Sequence, residues 1–371
     1  MISSHLLSIV RCPDCRMALV PQGDTVVCPT CARRFERQGD YLDLRPSDSF
    51  SEQTKYLDEA LHTDARHQRL SPPLLGSKVR NDTLRSMLAP ASGDVIIDLG
   101  CGSGRTMLWN EDRGATMVGL DLSPFFADEA RARVDLVLGD LRRLPFGDGT
   151  FTKGYALDVM EHLSRETLAD VLREAARVLG AGGVLFVYSH VRKNSRLALG
   201  LRWVNRLAHR LERRGWLDLR QERLRKSDHV NPLADVPDLE RTVAAAGFQI
   251  ERIRYYTPII GGLIENVLVR LVEQALGRRA ARRDAARAHS GGATTGTGIE
   301  ADAVSDGVSP PDAARIARAE AKRRIAGRGP TYLTLRFLTW LMKWDLWLFG
   351  RVRSGPFFAR LVKEPAASTG R

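Results

Sequence analysis

Four of the five cysteines fall in the first 31 residues, as the knuckles Cys12-Pro13-Asp14-Cys15 and Cys28-Pro29-Thr30-Cys31, with twelve residues between them. Each knuckle sets two thiolates on one tight turn, and two such turns complete a closed tetrahedral zinc site of structural type. A segment this poor in apolar residues needs such an ion to fold. A redox reading of C-x-x-C would want a βαβ setting, which is missing here. Further along, Asp98 precedes three glycines at alternate positions, Gly100, Gly102 and Gly104. Glycines so placed let the backbone approach a ligand, and the N–H groups of a following helix can receive it, which suits a nucleotide-like molecule. Asp121 and Asp140 end two later apolar stretches, and His162 and His190 follow two more. A histidine at the end of a strand can take a proton from a hydroxyl, or it can simply satisfy a nearby backbone group. Cys101, inside the glycine turn, reads as a small packing residue.

These side chains need a scaffold, and the hydropathy pattern supplies one. Strand-like and helix-like stretches alternate over 95–99, a helix to about 113, 116–121, a helix over 125–133, 134–139, 152–157, a helix over 167–179, and 183–188. That is the βαβα rhythm of a doubly wound parallel sheet, whose ligand crevice lies at the carboxyl ends of its strands. The dinucleotide fingerprint G-x-G-x-x-G fails in both registers, because Arg105 and Met107 stand where its third glycine belongs. No G-K-[ST] follows, so a P-loop fails too. Upstream, 17–27 alternates as a hairpin would, and 53–69 and 78–88 have helical spacing.

The formal charge of +12 favours an acidic partner: nucleic acid, an anionic membrane surface or a phosphorylated substrate. No signal peptide is legible, and no run reaches the ~18 apolar residues of a spanning helix. A cytoplasmic, reducing setting is therefore expected. Between 192 and 226 twelve Arg and Lys stand against three Asp and Glu, a local balance of +9. Leu197, Leu201, Val204, Leu207 and Leu211 are helically spaced within it, so a basic amphipathic insertion in contact with phosphates is expected. A helix over 236–247 and a strand over 248–256 follow, and 355–363 reads as a last, antiparallel strand. The piece 257–354 is then an insertion. It holds an apolar segment at 259–276, a stretch at about 278–329 whose composition predicts disorder, with a basic helix over 312–325 inside it, and a helix over 332–349. In that last helix Trp340, Trp344 and Trp347 share a face, while Arg336, Thr339 and Lys343 form a narrow polar stripe. Such a helix fits a membrane interface, or one of a pair roofing the active site.

Five motifs occur in order: Asp98-Leu99-Gly100-Cys101-Gly102-Ser103-Gly104, Val118-Gly119-Leu120-Asp121-Leu122-Ser123, Gly139-Asp140-Leu141-Arg142-Arg143-Leu144-Pro145-Phe146, Leu157-Asp158-Val159-Met160-Glu161-His162-Leu163, and Ala176-Arg177-Val178-Leu179-Gly180-Ala181-Gly182-Gly183. The set resembles the class I S-adenosylmethionine (SAM)-dependent methyltransferases of the broad "type 11" group, with Ala181 in place of the usual proline. Residues 5–46 resemble the Trm112-like zinc ribbon. The resemblance implies an α/β fold, a Rossmann-like seven-stranded methyltransferase sheet with a small N-terminal zinc ribbon and a helical insertion before the last strand. The divisions would be 1–46 for the ribbon, 47–94 for a helical approach, 95–256 for the core with its basic insertion at 192–226, 257–354 for the second insertion and 355–371 for the last strand and tail. It further implies that Asp98, Gly100, Gly102 and Gly104 hold the amino acid part of SAM, that Asp121, followed by Leu122, grips the ribose hydroxyls, and that Asp140 and Leu141 receive the adenine. His162 and His190 are the candidate bases, and Cys12, Cys15, Cys28 and Cys31 the ligands of a structural zinc ion. The expected function is methyl transfer to a lipid-linked, glycan or other amphipathic acceptor by an enzyme peripheral to the inner membrane face. The alternatives are a ribosomal RNA methyltransferase and a non-catalytic SAM-binding scaffold.

Overall fold

Strand β5 (Val95–Leu99) is buried from Ile96 to Leu99, and alternate residues serve opposite faces of the sheet. It is the pivot of the fold. In the computed structural model, which describes residues 2–47, 70–192, 198–217, 219, 229–275 and 329–365, it pairs in parallel with β6 (Thr116–Asp121) on one side and β8 (Phe151–Leu157) on the other. Chain order runs outward from β5 through β6 to β7 (Asp135–Leu138), then resumes on the far side with β8 and β9 (Leu179–His190). The reversal puts a topological switch point beside β5, where doubly wound sheets bind ligands. Beyond β9 the sheet turns antiparallel: β11 (Pro356–Lys363) lies between β9 and β10 (Phe248–Tyr255) and pairs with both.

The N-terminal segment contributes helix α1 (Ser4–Ile9) and strands β1 (Val20–Gln22), β2 (Thr25–Val27), β3 (Arg34–Gln38) and β4 (Tyr41–Asp43). The expected hairpin is present as β1 and β2. Strand β4 pairs in parallel with β7, and the Leu44 N–H donates to the Leu138 carbonyl at 2.8 Å. The expected seven-stranded sheet is present as β5 to β11, and the four strands of the N-terminal module extend it to eleven in the order β1-β2-β3-β4-β7-β6-β5-β8-β9-β11-β10. The extension covers β7, which would otherwise present a bare edge of N–H and C=O groups. Side chains fasten the same junction. The Ser3 N–H and hydroxyl both donate to the Asp135 carboxylate, at 3.0 and 2.5 Å, and Leu6, Val10, Cys12 and Cys28 share one apolar cluster with β5, β6 and β7.

Helices cover both faces. On one, α5 (Arg165–Val178) and α7 (Val236–Ala245) pack beside α1 through Leu168, Leu172, Leu239 and Val243. On the other lie α2 (Leu75–Leu88), α3 (Arg105–Trp109) and α4 (Asp128–Arg133), through Val79, Leu84, Met107 and Ala130. The insertions add α6 (Ala198–Arg213), α8 (Ile259–Gly262, continuing as a π-helical turn Leu263–Val269) and α9 (Pro330–Phe349). The expected helices at 53–69 and 312–325, the disorder expected at 278–328 and much of the basic stretch after residue 217 lie outside the described residues.

Helix α9 divides the expected polar stripe: Arg336 is exposed and Lys343 half-buried, while Thr339 is buried and lies with Met342 and Asp345 on the inward side. The Thr339 hydroxyl accepts the Leu75 N–H at 2.8 Å, and the Asp345 carboxylate accepts the N–H groups of Ile260 and Gly261 at 3.0 and 2.7 Å. Lys343 pairs with Asp82 of α2. The starts of α2 and α8 carry N–H groups with no helical partner, and α9 satisfies them. From α8, Glu265 likewise accepts the Gly76 N–H at 2.9 Å. The tryptophan side is the outer one: Trp340, Trp344 and Trp347 are 51 %, 41 % and 79 % exposed.

Candidate cofactor and acceptor site

The glycine turn follows directly from β5. Gly100 and Cys101 donate their N–H groups to the Leu120 carbonyl at 2.8 and 3.1 Å, locking the turn to β6. Gly100, at φ +77°, backs so closely on Val159 that a Cβ would stand 2.7 Å from Val159 Cγ2. Gly102, at φ +53°, is exposed, and a Cβ there would meet nothing within 4 Å. Gly100 thus serves packing, and Gly102 keeps backbone open toward a ligand. Gly104 is the N-cap of α3, a helix of only five residues, so little axial dipole stands behind the turn, and the N–H groups of Gly100, Cys101, Gly102 and Gly104 are all engaged within the chain.

Asp121 ends β6 and clasps this turn. One carboxylate oxygen accepts the Gly102 N–H at 2.7 Å and the other the Ser123 N–H at 2.9 Å. These two backbone N–H groups fix the orientation in which the carboxylate would meet a ribose. Leu122 beside it is half-buried. Asp98 is buried under the turn. Burial, together with the Asp121 charge, pushes its carboxyl up to about 8, against the opposing influence of the Tyr155 hydroxyl. Burial also raises the Cys101 thiol well above its ordinary value, which keeps it protonated and supports its reading as packing.

Asp140, expected to receive the adenine, is already engaged within the chain. It is buried, and its carboxylate accepts the Arg142 N–H at 2.8 Å and the Arg142 guanidinium at 2.7 to 3.1 Å. Leu141 is half-buried against the sheet cluster. A cavity of about 440 Å³ between the first cysteine knuckle and α5 is lined by Asp14, Arg16, Asp140, Arg142, Asp170 and Glu174 among others. None of the glycine turn reaches it, so it is separate from the crevice at β5.

On the other side of the switch point, β8 leads through Asp158, at φ +55°, into the short turn Met160–His162. Glu161 is buried; one oxygen accepts the Ser189 hydroxyl at 2.8 Å, and the other lies 3.3 Å from His190 Nδ1. Burial opposes ionisation of Glu161, but contact with His190 and Ser189 outweighs it and holds the carboxyl below its usual value. The ring of His162 sits edge-on to His229, centroids 4.8 Å apart, and His190 lies 6.1 Å from His229. The two expected histidines therefore meet in one cluster, together with Glu161 and His229, which the sequence reading did not select. Glu161 was adjacent to His162 in a quoted motif, whereas His229 had no local signal.

In the N-terminal module, Cys12 and Cys31 sulfurs are 3.7 Å apart, Cys15 and Cys28 3.3 Å, and all four lie within 4.8 Å of one another. Four thiolates at about 2.3 Å from one tetrahedral ion stand roughly 3.8 Å apart, so the cluster has the dimensions of a metal site.

Residues 97–187 match the family model described as "Methyltransferase domain". Methyltransferase GfsG of Streptomyces halstedii is 32 % identical over 171 residues, which is 41 % of this chain and 58 % of that protein. Ubiquinone biosynthesis O-methyltransferase of Azorhizobium caulinodans is 29 % identical over 180 residues, 45 % of this chain and 63 % of its own. The chain thus spans less than two thirds of the length of these curated relatives. Among solved structures, the cyclopropane synthase MmaA2 of Mycobacterium tuberculosis aligns at 16 % identity and a TM-score of 0.41, over 77 % of this chain and 84 % of that one. With the ordered motifs and the strand order around the glycine turn, residues 97–187 form a class I SAM-dependent methyltransferase domain.

Proposed function

We propose that the chain transfers a methyl group from SAM to an amphipathic acceptor at the surface of a membrane. The clasp of Asp121 over the open backbone of Gly102, at the switch point of the sheet, is the observation that carries the cofactor half of this reading. Asp98, Gly100, Gly102 and Gly104 would hold the amino acid part, Asp121 and Leu122 the ribose, and Leu141 the adenine. Asp140 reaches the adenine amino group only by sharing its carboxylate with Arg142. When bound, SAM supplies an electrophilic methyl group on a sulfonium. The chain's own part is to position the acceptor, exclude water and receive a proton. For a hydroxyl acceptor His190 is the base, with Glu161 at its Nδ1 as positioning residue, and His162 flanks it. Zinc held by Cys12, Cys15, Cys28 and Cys31 would fasten the N-terminal module.

The acceptor half rests on the outer face of the insertions. Trp203 and Leu199 on α6, Leu263 and Leu268 on α8, and Trp340, Trp344 and Trp347 on α9 are exposed large apolar side chains on helices packed together above α2. Arg202, Arg206 and Arg210 of α6 are exposed beside them. Clustered exposed tryptophan with arginine suits the headgroup level of a bilayer. Among the described residues no helix is long and apolar enough to cross a membrane, so the contact proposed is peripheral. One relative is named for O-methylation in ubiquinone biosynthesis.

The test is transfer of labelled methyl groups from SAM to a membrane lipid extract and to total RNA, with flotation on anionic vesicles. Label in the lipid fraction and vesicle binding are expected. Label confined to RNA would move the assignment to the RNA methyltransferase reading, and SAM binding with no transfer to either would favour the scaffold.

A further inference from the structure

The cluster beside the glycine turn holds more than a base. Glu161, His162 and His229 each offer one ligand atom, and the three atoms lie within 4.8 Å of one another. Ligand atoms about 2.1 Å from one ion stand roughly 3 to 3.5 Å apart, so small side-chain rotations close the set. We propose that Glu161, His162 and His229 form a binding site for a divalent first-row cation of the zinc or manganese type.

Three further observations support it. The segment carrying His229 returns to this rim under restraint: the Asn231 N–H donates to the Glu161 carbonyl at 2.9 Å, and the Arg192 N–H to the Leu233 carbonyl at 3.0 Å. Leu233 is buried in the same cluster as Met160, so His229 is delivered here by packing and by the backbone together. The Glu161 carboxylate is 1 % exposed, so it is held among these side chains and not turned out to solvent. Finally, the Ser189 hydroxyl holds one Glu161 oxygen and orients the other toward the histidines, the kind of support a metal-ligating carboxylate requires.

Two imidazoles and a carboxylate leave coordination positions open. The ligands begin two residues after Val159, which packs on Gly100, so those positions lie on the rim where a methyl acceptor must reach. An acceptor oxygen bound there would be oriented, and its hydroxyl made more acidic, with His190 alongside to take the proton. This places the acceptor among oxygen nucleophiles. The use of the ion rests on the methyl-transfer reading above; its binding does not.

The experiment is a Mn²⁺ titration of the full chain, purified with its cysteine site loaded, followed by the electron paramagnetic resonance of free Mn²⁺. S-adenosylhomocysteine binding is measured in parallel. One Mn²⁺ per chain is expected, weakened about tenfold or more in both His229→Ala and His162→Asn, with S-adenosylhomocysteine affinity retained in each. Absence of Mn²⁺ binding, or binding unchanged in both variants, overturns the site. The two variants touch different elements, so failure of one to fold leaves the other to decide. Loss of S-adenosylhomocysteine binding by the unaltered chain would instead count against the methyltransferase reading.

Discussion

Gly100 and Asp121 hold the same turn from two sides, and their substitutions have separable signatures. Asp121→Ala removes the acceptor of the Gly102 N–H and the ribose grip together, so S-adenosylhomocysteine affinity by calorimetry should fall at least about tenfold. Gly100→Ala forces a Cβ to 2.7 Å from Val159 at a left-handed φ, and chemical denaturation should show a loss of about 1–3 kcal/mol. Asp98 gives a pH signature. Its folded value, about 8, lies above the ordinary carboxylate range, so the native state binds more protons between those limits. This group's contribution therefore makes stability decline as pH rises toward 8 and level off above it. Asp98→Asn should flatten that decline in melts across pH 5 to 9. If the amino group of the ligand sits beside Asp98, wild-type affinity for S-adenosylhomocysteine should strengthen over the same interval, and the Asn variant should not follow.

At the scale of elements, α9 separates two roles on its two sides. Asp345→Ala strips the acceptor from the Ile260 and Gly261 N–H groups, and denaturation should register about 1–3 kcal/mol. Trp347→Ala, at a position 79 % exposed, should change stability by less than about 0.5 kcal/mol yet weaken vesicle flotation several-fold. An equal stability loss in both variants would contradict this division of labour. The division also marks what the sequence made legible. Strands β5 to β9 and the glycine turn could be read because local periodicity and local motifs encode them. The inward placing of Thr339 and Asp345 on α9 could not, because their partners Leu75, Ile260 and Gly261 are distant in sequence. His229 was hidden for the same reason: its role depends on a long return of the chain to the rim.

At the scale of the molecule, the N-terminal module and the methyltransferase domain share one sheet and one apolar cluster. The thiolate cluster should therefore support the whole fold. If the cluster holds zinc as proposed, removing it with a chelator, or substituting Cys28→Ser, should lower the melting temperature of a single calorimetric transition by several degrees, where independent modules would give a local early transition. The sequence marked the four thiolates of the N-terminal module and missed its attachment, since a strand's parallel pairing partner has no local imprint. The opposite edge of the sheet carries a consequence for biosynthesis. Strand β11 lies between β9 and β10, yet it is made after both, with α8 and α9 intervening. On a growing chain β9 and β10 must wait with their inner edges open until residues 356–363 emerge, and only then are these two strands joined through β11. Ribosome stalling or premature termination within the second insertion would leave two adhesive edges unfilled, which makes this segment the point of greatest exposure to chaperones and proteases during synthesis.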